Sequence, residues 1–254
     1  MLMHFLMYLV PILLGTMGAL WLGARFGRPW SPQDEQKQNF EHVTSLVRML
    51  FAFTLAFVVV LVWQEYQAGQ KTATAEASAL TEVNWAALEL PADQRDGLRQ
   101  RMIVYTHKVI AQEWPAMQDK LTMDTDTRNA WDDLRRYAVQ LPTVDARTTD
   151  FQHRVLTQLE TAGQARRERG NETQSGLPSV FWAGLLVGAA MMLALPALWG
   201  TRFTTRSVLF LTVLATCVTG MLFLVGEMDH AFSGEISVPP TAFQELLDRL
   251  DRLS

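Results

Sequence analysis

The stretch VFWAGLLVGAAMMLALPALW, residues 180–199, is followed by GTRFTTR, residues 200–206, and SVLFLTVLATCVTGMLFLVG, residues 207–226. The outer runs are 20 residues each and hold no charged side chain, whereas the seven residues between them carry two arginines and no acid. About 20 apolar residues rising about 1.5 Å each cross a hydrocarbon core of roughly 30 Å as a helix. This stretch therefore reads as a transmembrane hairpin with a short basic turn, bracketed in its first arm by Trp182 and Trp199 as interfacial anchors. Gly184 and Gly188 form a GxxxG at which a second helix can approach closely.

Two further apolar runs lie near the N-terminus. Leu2–Ala24 is the first span; it lacks the basic leader of a secretory signal and reads as a retained helix. Pro11 should kink it, and Gly15, Ala19 and Gly23, four apart, give it a small-residue packing stripe. Val43–Trp63 is the second span, with Arg48 close enough to its end to reach the interface. Residues 2–64 thus form one transmembrane pair, and residues 180–226 form the other.

Residues 65–179 hold no run of membrane length, and their periodicity is helical. Gln64–Leu88 continues the second span until Pro91 breaks it. The next helix runs over Ala92–Trp114 with Leu98, Met102, Tyr105 and Val109 on one face, and Trp114-Pro115 closes it. Asp124 or Thr125 caps a third helix, whose stripe is Trp131, Leu134, Ala138 and Leu141. A fourth, Ala146–Arg169, turns Phe151, Val155, Leu156 and Leu159 inward, and Arg166-Arg167-Glu168-Arg169 reads as its solvated end. The tail, residues 227–254, closes in an amphipathic helix, Thr241–Leu253, with Phe243, Leu246, Leu247 and Leu250 on one side. The expected fold is an all-α integral membrane protein: four transmembrane helices with a soluble helical bundle inserted between the second and third.

The chain of 254 residues has 22 Lys and Arg against 26 Asp and Glu, and no basic stripe that would suit nucleic acid. Its one cysteine, Cys217, cannot form an intrachain disulfide. The five histidines, His4, His42, His107, His153 and His230, show no metal-binding spacing, and no nucleotide-binding or nucleophile motif is present. No cofactor, metal or catalytic set is therefore expected, and the chain does not read as an enzyme. Asn171-Glu172-Thr173 matches the glycosylation sequon by pattern. Two acids stand out as ion-path candidates at a pore mouth. Glu76 lies in a run of small residues beyond the second span, and Asp229 just past the fourth; the alternative for both is a solvated cap or bundle salt bridge.

Near the span ends, Arg25, Arg28, Lys37, Arg48, Arg202 and Arg206 lie on one side of the membrane, against Lys71, Arg166, Arg167 and Arg169 on the other. Positive charge is retained in the cytoplasm, so the count puts both short loops in the cytoplasm and both termini and the large helical region on the outer side of the membrane.

Several of these pieces together resemble the bestrophin-like domain family of bacterial membrane proteins. They are Leu55-Ala56-Phe57, Glu76-Ala77, Leu90-Pro91 followed by Leu98-Arg99 and Tyr105, then Asp229, Phe232-Ser233-Gly234 and Ile236-Ser237-Val238. The match runs from about residue 45 to 245 in order and spacing. It departs at Ala231, where the family usually has proline before Phe-Ser-Gly. The resemblance implies kinship to bestrophins, which are oligomeric anion channels whose large helical region is cytoplasmic, against the charge count. It transfers no functional residue. On this reading the chain is a homo-oligomeric subunit in the lipid bilayer that passes a small anion, with Phe51, Phe53, Phe57 or Val58 on the second span as a hydrophobic constriction. The alternative is a membrane sensor or scaffold whose helical domain acts through a partner protein.

Overall fold

The computed structural model describes residues 34–198 and 205–252, and the first expected span, with Gly15, Ala19 and Gly23, lies outside them. The described residues are helical, with no strand among them. Helix α1 is Asp34–Ala87, 54 residues without a break. It is followed by α2 (Ala92–Lys108), a π-helical turn (Val109–Glu113) and α3 (Trp114–Lys120). Then come α4 (Thr125–Val139), α5 (Ala146–Gln174), α6 (Ser179–Leu198), α7 (Thr205–Glu227) and α8 (Thr241–Arg252). Among the described residues, three helical stretches are long and apolar enough to cross a membrane, and their apolar windows lie in α1, α6 and α7.

The ends of these helices follow local chemistry. No proline interrupts residues 34–87, so α1 runs on past the second expected span until the turn before Pro91. There the Leu90 N–H bonds the Ala87 carbonyl at 3.0 Å, and the Pro91 carbonyl accepts from Arg95 N–H at 2.9 Å as α2 begins. Asp124 caps α4 by accepting from the Thr127 N–H at 2.8 Å. Asp145 and Thr148 form a capping box on α5: the Thr148 N–H donates to the Asp145 carboxylate at 2.7 Å, and the Asp145 N–H donates back to the Thr148 hydroxyl at 3.1 Å.

Two expectations need correcting. Trp114-Pro115 does not end the second soluble helix. The chain passes through the π turn without a break, and Pro115 sits in the first turn of α3. Nor does the fourth helix end at Arg169; it runs to Gln174, and the sequon threonine, Thr173, is buried with its hydroxyl bonded to the Arg169 carbonyl at 2.8 Å.

The described chain divides into two compact units, one comprising the segment through Trp63 with Leu177–Glu227, the other Gln64–Gly176 with Met228 onward. In the first unit α6 lies against α1 at Gly188, where an added Cβ would stand 2.7 Å from Phe51 Cδ2. Gly184 meets nothing within 4 Å and borders a groove of about 220 Å³ between α1 and α6, so only Gly188 of the GxxxG pair makes a close helix contact here. Leu46, Met49, Leu50, Phe53, Phe57 and Val60 stay exposed on α1, as suits helices that face lipid or one another in it.

The second unit is built around one apolar core. Leu80 and Val83 of α1, Leu98 and Met102 of α2, Leu134 of α4, Leu159 of α5 and Phe243, Leu246 and Leu250 of α8 meet there, each at most 2 % exposed.

Candidate functional site

Continued along the helix, each inward stripe of the second unit passes from apolar to polar residues. On α5 the positions Val155, Leu159 and Ala162 lead at the same three- and four-residue steps to Arg166 and Arg169. On α2 Leu98, Met102, Tyr105 and Val109 lead to Glu113 in the π turn. On α1 Ala73 and Leu80 flank Glu76. The five polar side chains meet in the core, where Glu76, Tyr105, Glu113 and Arg169 have no exposed surface and Arg166 is 6 % exposed.

The network is closed on itself. Arg166 holds Glu113 with two parallel bonds of 2.6 Å each, the forked geometry that a planar guanidinium and a carboxylate allow. Arg169 bridges the two acids, donating from Nε to Glu76 at 3.0 Å and from Nη2 to Glu113 at 2.8 Å. Tyr105 donates its hydroxyl to Glu76 and accepts from Arg166 Nη1 at 2.8 Å. Two guanidiniums face two carboxylates, so the cluster carries no net charge, which is the condition under which buried ions are tolerable. Burial and the neighbouring Glu76 push the Tyr105 phenol well above its usual range, which keeps it a proton donor. Burial works against both guanidinium charges, but Tyr105 and Glu113 around Arg166, and Glu76 and Glu113 around Arg169, outweigh it and raise both.

Aromatic rings close the cluster from the C-terminal side. Arg169 lies 5.4 Å from the Trp114 ring and 5.3 Å from that of Phe243. Trp114 meets Phe232 edge-on at 5.5 Å and donates its indole N–H to the Val238 carbonyl at 2.9 Å. The segment Met228–Pro240 is thereby strapped to the core. Its loop closes through the Val238 N–H to the Ala231 carbonyl at 2.9 Å, and Ser233 donates to the Gln118 carbonyl at 2.8 Å. Gly234 takes φ 83°, a conformation that favours glycine. Ala231 rests on Gly69 of α1, where an added Cβ would stand 2.8 Å from Ala231 Cβ. At the edge of the cluster Thr72 donates to Glu172 at 2.7 Å; burial, with Glu65 and Glu168 nearby, raises the Glu172 carboxyl above its usual range.

The arrangement is a structural clasp rather than a ligand site, since every member is satisfied and shielded from water. Among the described residues, no group of His, Cys, Asp and Glu could hold a metal ion. Of the ion-path candidates, Glu76 is inside the clasp, while Asp229 is partly exposed beside His230, with Oδ2 and Nδ1 3.8 Å apart. Phe51 and Val58 are buried in the first unit, whereas Phe53 is 73 % and Phe57 47 % exposed. The expectation of a solvated end at residues 166–169 holds for Arg167 and Glu168 and fails for Arg166 and Arg169. Extending the α5 stripe by four and seven residues past Ala162 would have found both.

A family model for the bestrophin-like domain matches residues 10–243. The chain belongs to the bestrophin-like family. A crystal structure of a bacterial bestrophin homologue from Klebsiella pneumoniae shares the fold with a TM-score of 0.70 at 13 % identity over 96 % of each chain. A second crystal structure, of a membrane protein, gives 0.69 at 11 % identity over 97 % of each. No curated protein sequence matches the chain. In this bestrophin-like chain, Glu76 and Tyr105, which carried the resemblance in sequence, are members of the clasp. Phe232, Gly234 and Val238 shape the strap laid against it. Ala231, the departure from the family's usual proline, keeps its carbonyl in the loop-closing bond.

Proposed function

We propose that this chain is a subunit of a homo-oligomeric channel in the bacterial inner membrane and that it passes small anions, not that it is an enzyme. The match to the bestrophin-like family over most of the chain carries this reading. Phe53 and Phe57, one turn apart and exposed on α1, are the side chains we assign to a hydrophobic constriction, which controls ions by dewetting. Phe51 and Val58 have their surface consumed by packing and serve as scaffold. Glu76 holds the extramembrane bundle together, and Asp229 stands at the start of the strap. The orientation follows the charge count, with both termini and the bundle periplasmic.

The test is chloride efflux from liposomes holding the purified full-length protein. Wild type should exceed empty vesicles, and Phe53→Ala with Phe57→Ala should raise basal flux severalfold, while Phe51→Val should not. No flux from protein shown by native mass spectrometry to be assembled would overturn the channel. Flux unchanged in the Phe53 and Phe57 variants would reject the constriction.

A further inference from the structure

Away from the clasp, α1 and α5 enclose a groove of about 670 Å³, a volume that suits a small ligand. One wall is Glu82, Trp85, Ala86 and Glu89 of α1, and the other is formed by Phe151, Arg154, Thr157 and Gln158 of α5. The groove already holds cations against aromatic rings. Arg147 and Arg154 each place a guanidinium 5.6 Å from the Phe151 ring centre. Both charges are answered: Arg147 pairs with Glu89 at 2.6 Å and Arg154 with Asp150 at 3.1 Å.

The α1 side has the complementary parts of the same arrangement without its cation. Trp85 is 53 % exposed, and indole offers the strongest ring face for a cation. Its N–H, and the Glu82 carboxylate one helical turn away, have no partner among the described residues. Three carboxylates, Glu82, Glu89 and Asp150, face two guanidiniums, Arg147 and Arg154, which leaves one negative charge beside an open indole.

The geometry points to a binding site for a small organic cation, its guanidinium or ammonium group set between the Trp85 indole and the Glu82 carboxylate. Neither the clasp nor the constriction contributes to the groove, so the inference is independent of the channel. An inorganic cation would meet one carboxylate and no cage of oxygen ligands, whereas an organic one gains the aromatic wall as well.

The test is isothermal titration of the detergent-purified full chain with agmatine, which carries one guanidinium and one ammonium, and with succinate as the anionic control. Saturable one-site binding of agmatine and none of succinate is expected, weakened at least fivefold in Glu82→Gln and in Trp85→Ala. Glu82→Lys, at an exposed position, should abolish it without lowering the melting temperature. Absent saturation, or equal binding by wild type and Glu82→Lys, would overturn the site. So would loss of assembly in Glu82→Lys by native mass spectrometry, because a cationic side chain of a neighbouring copy would then be the occupant.

Discussion

Replacing Arg169 by methionine would keep most of the side-chain volume and strand two acids, Glu76 and Glu113, in the core. Removing one partner of a buried ion pair costs about 3–5 kcal/mol, and the loss should appear as a large drop in the melting temperature of the solubilised protein. Arg167→Ala, two residues before it on the exposed face, should change stability by no more than about 0.5 kcal/mol. Glu172 offers a different signature. Its raised carboxyl means that the folded state holds the proton more tightly than the unfolded chain does. Its contribution is therefore most favourable below the usual carboxyl range and is lost as pH rises through the folded value. Glu172→Gln should melt higher than wild type at pH 7, and the difference should shrink as pH falls and vanish once the unfolded carboxyl is also fully protonated, below about pH 4. These residues also mark where reading the sequence stopped. Four charges in Arg166-Arg167-Glu168-Arg169 look alike in a linear string. Which of them turn inward depends on partners that lie 53 to 93 residues away, Glu113 and Glu76. Tyr105 was legible from the apolar stripe it shares with Leu98, Met102 and Val109, and Glu76 from its place among small residues, whereas nothing in the linear string marks Glu113.

Among the elements, α1 was the most legible, because an apolar run followed by an Ala- and Glu-rich run with no proline leaves the helix no reason to stop. The strap Met228–Pro240 was the least legible, since a segment without periodicity gives no sign of where it docks. Its contact with α1 depends on Gly69. Elsewhere in a helix an exchange of glycine for a side chain gains helix propensity, about 1 kcal/mol for alanine. At Gly69 the added Cβ meets Ala231 and, at 3.2 Å, the Phe232 ring. Gly69→Val should therefore destabilise by about 1–3 kcal/mol, the usual range for overpacking. Ala231→Gly should recover part of that loss, because it removes the nearer obstacle. Additivity of the two changes in thermal melts would contradict the contact.

At the level of the whole molecule, the proposed orientation rests on the count of arginine and lysine near the span ends. Of the four cations opposing it, Arg166 and Arg169 pair with Glu113 and Glu76, and Lys71 and Arg167 stay exposed. A cysteine placed at exposed Ser78, with Cys217→Ala as background, should react with a membrane-impermeant maleimide in cells whose outer membrane has been opened. Protection until the inner membrane is lysed would reverse the orientation and leave the fold and the flux prediction untouched. The apolar patterning that placed α1, α6 and α7 carries no comparable information about sidedness, since hydropathy is blind to which leaflet comes first.

The turn at Val109–Glu113 carries one residue more than a regular helix needs, and that surplus brings Glu113 and Trp114 inward together. Excising exposed Ala111 would leave Glu113 and Trp114 three and four places after Val109, the natural spacing of one helical face. The shortened chain should therefore still fold and melt within a few degrees of wild type, whereas excising Gln100 from mid-α2 would rotate every later contact by about 100° and should prevent folding. A helix interior, ordinarily the last place to tolerate a missing codon, would here be the place that absorbs one.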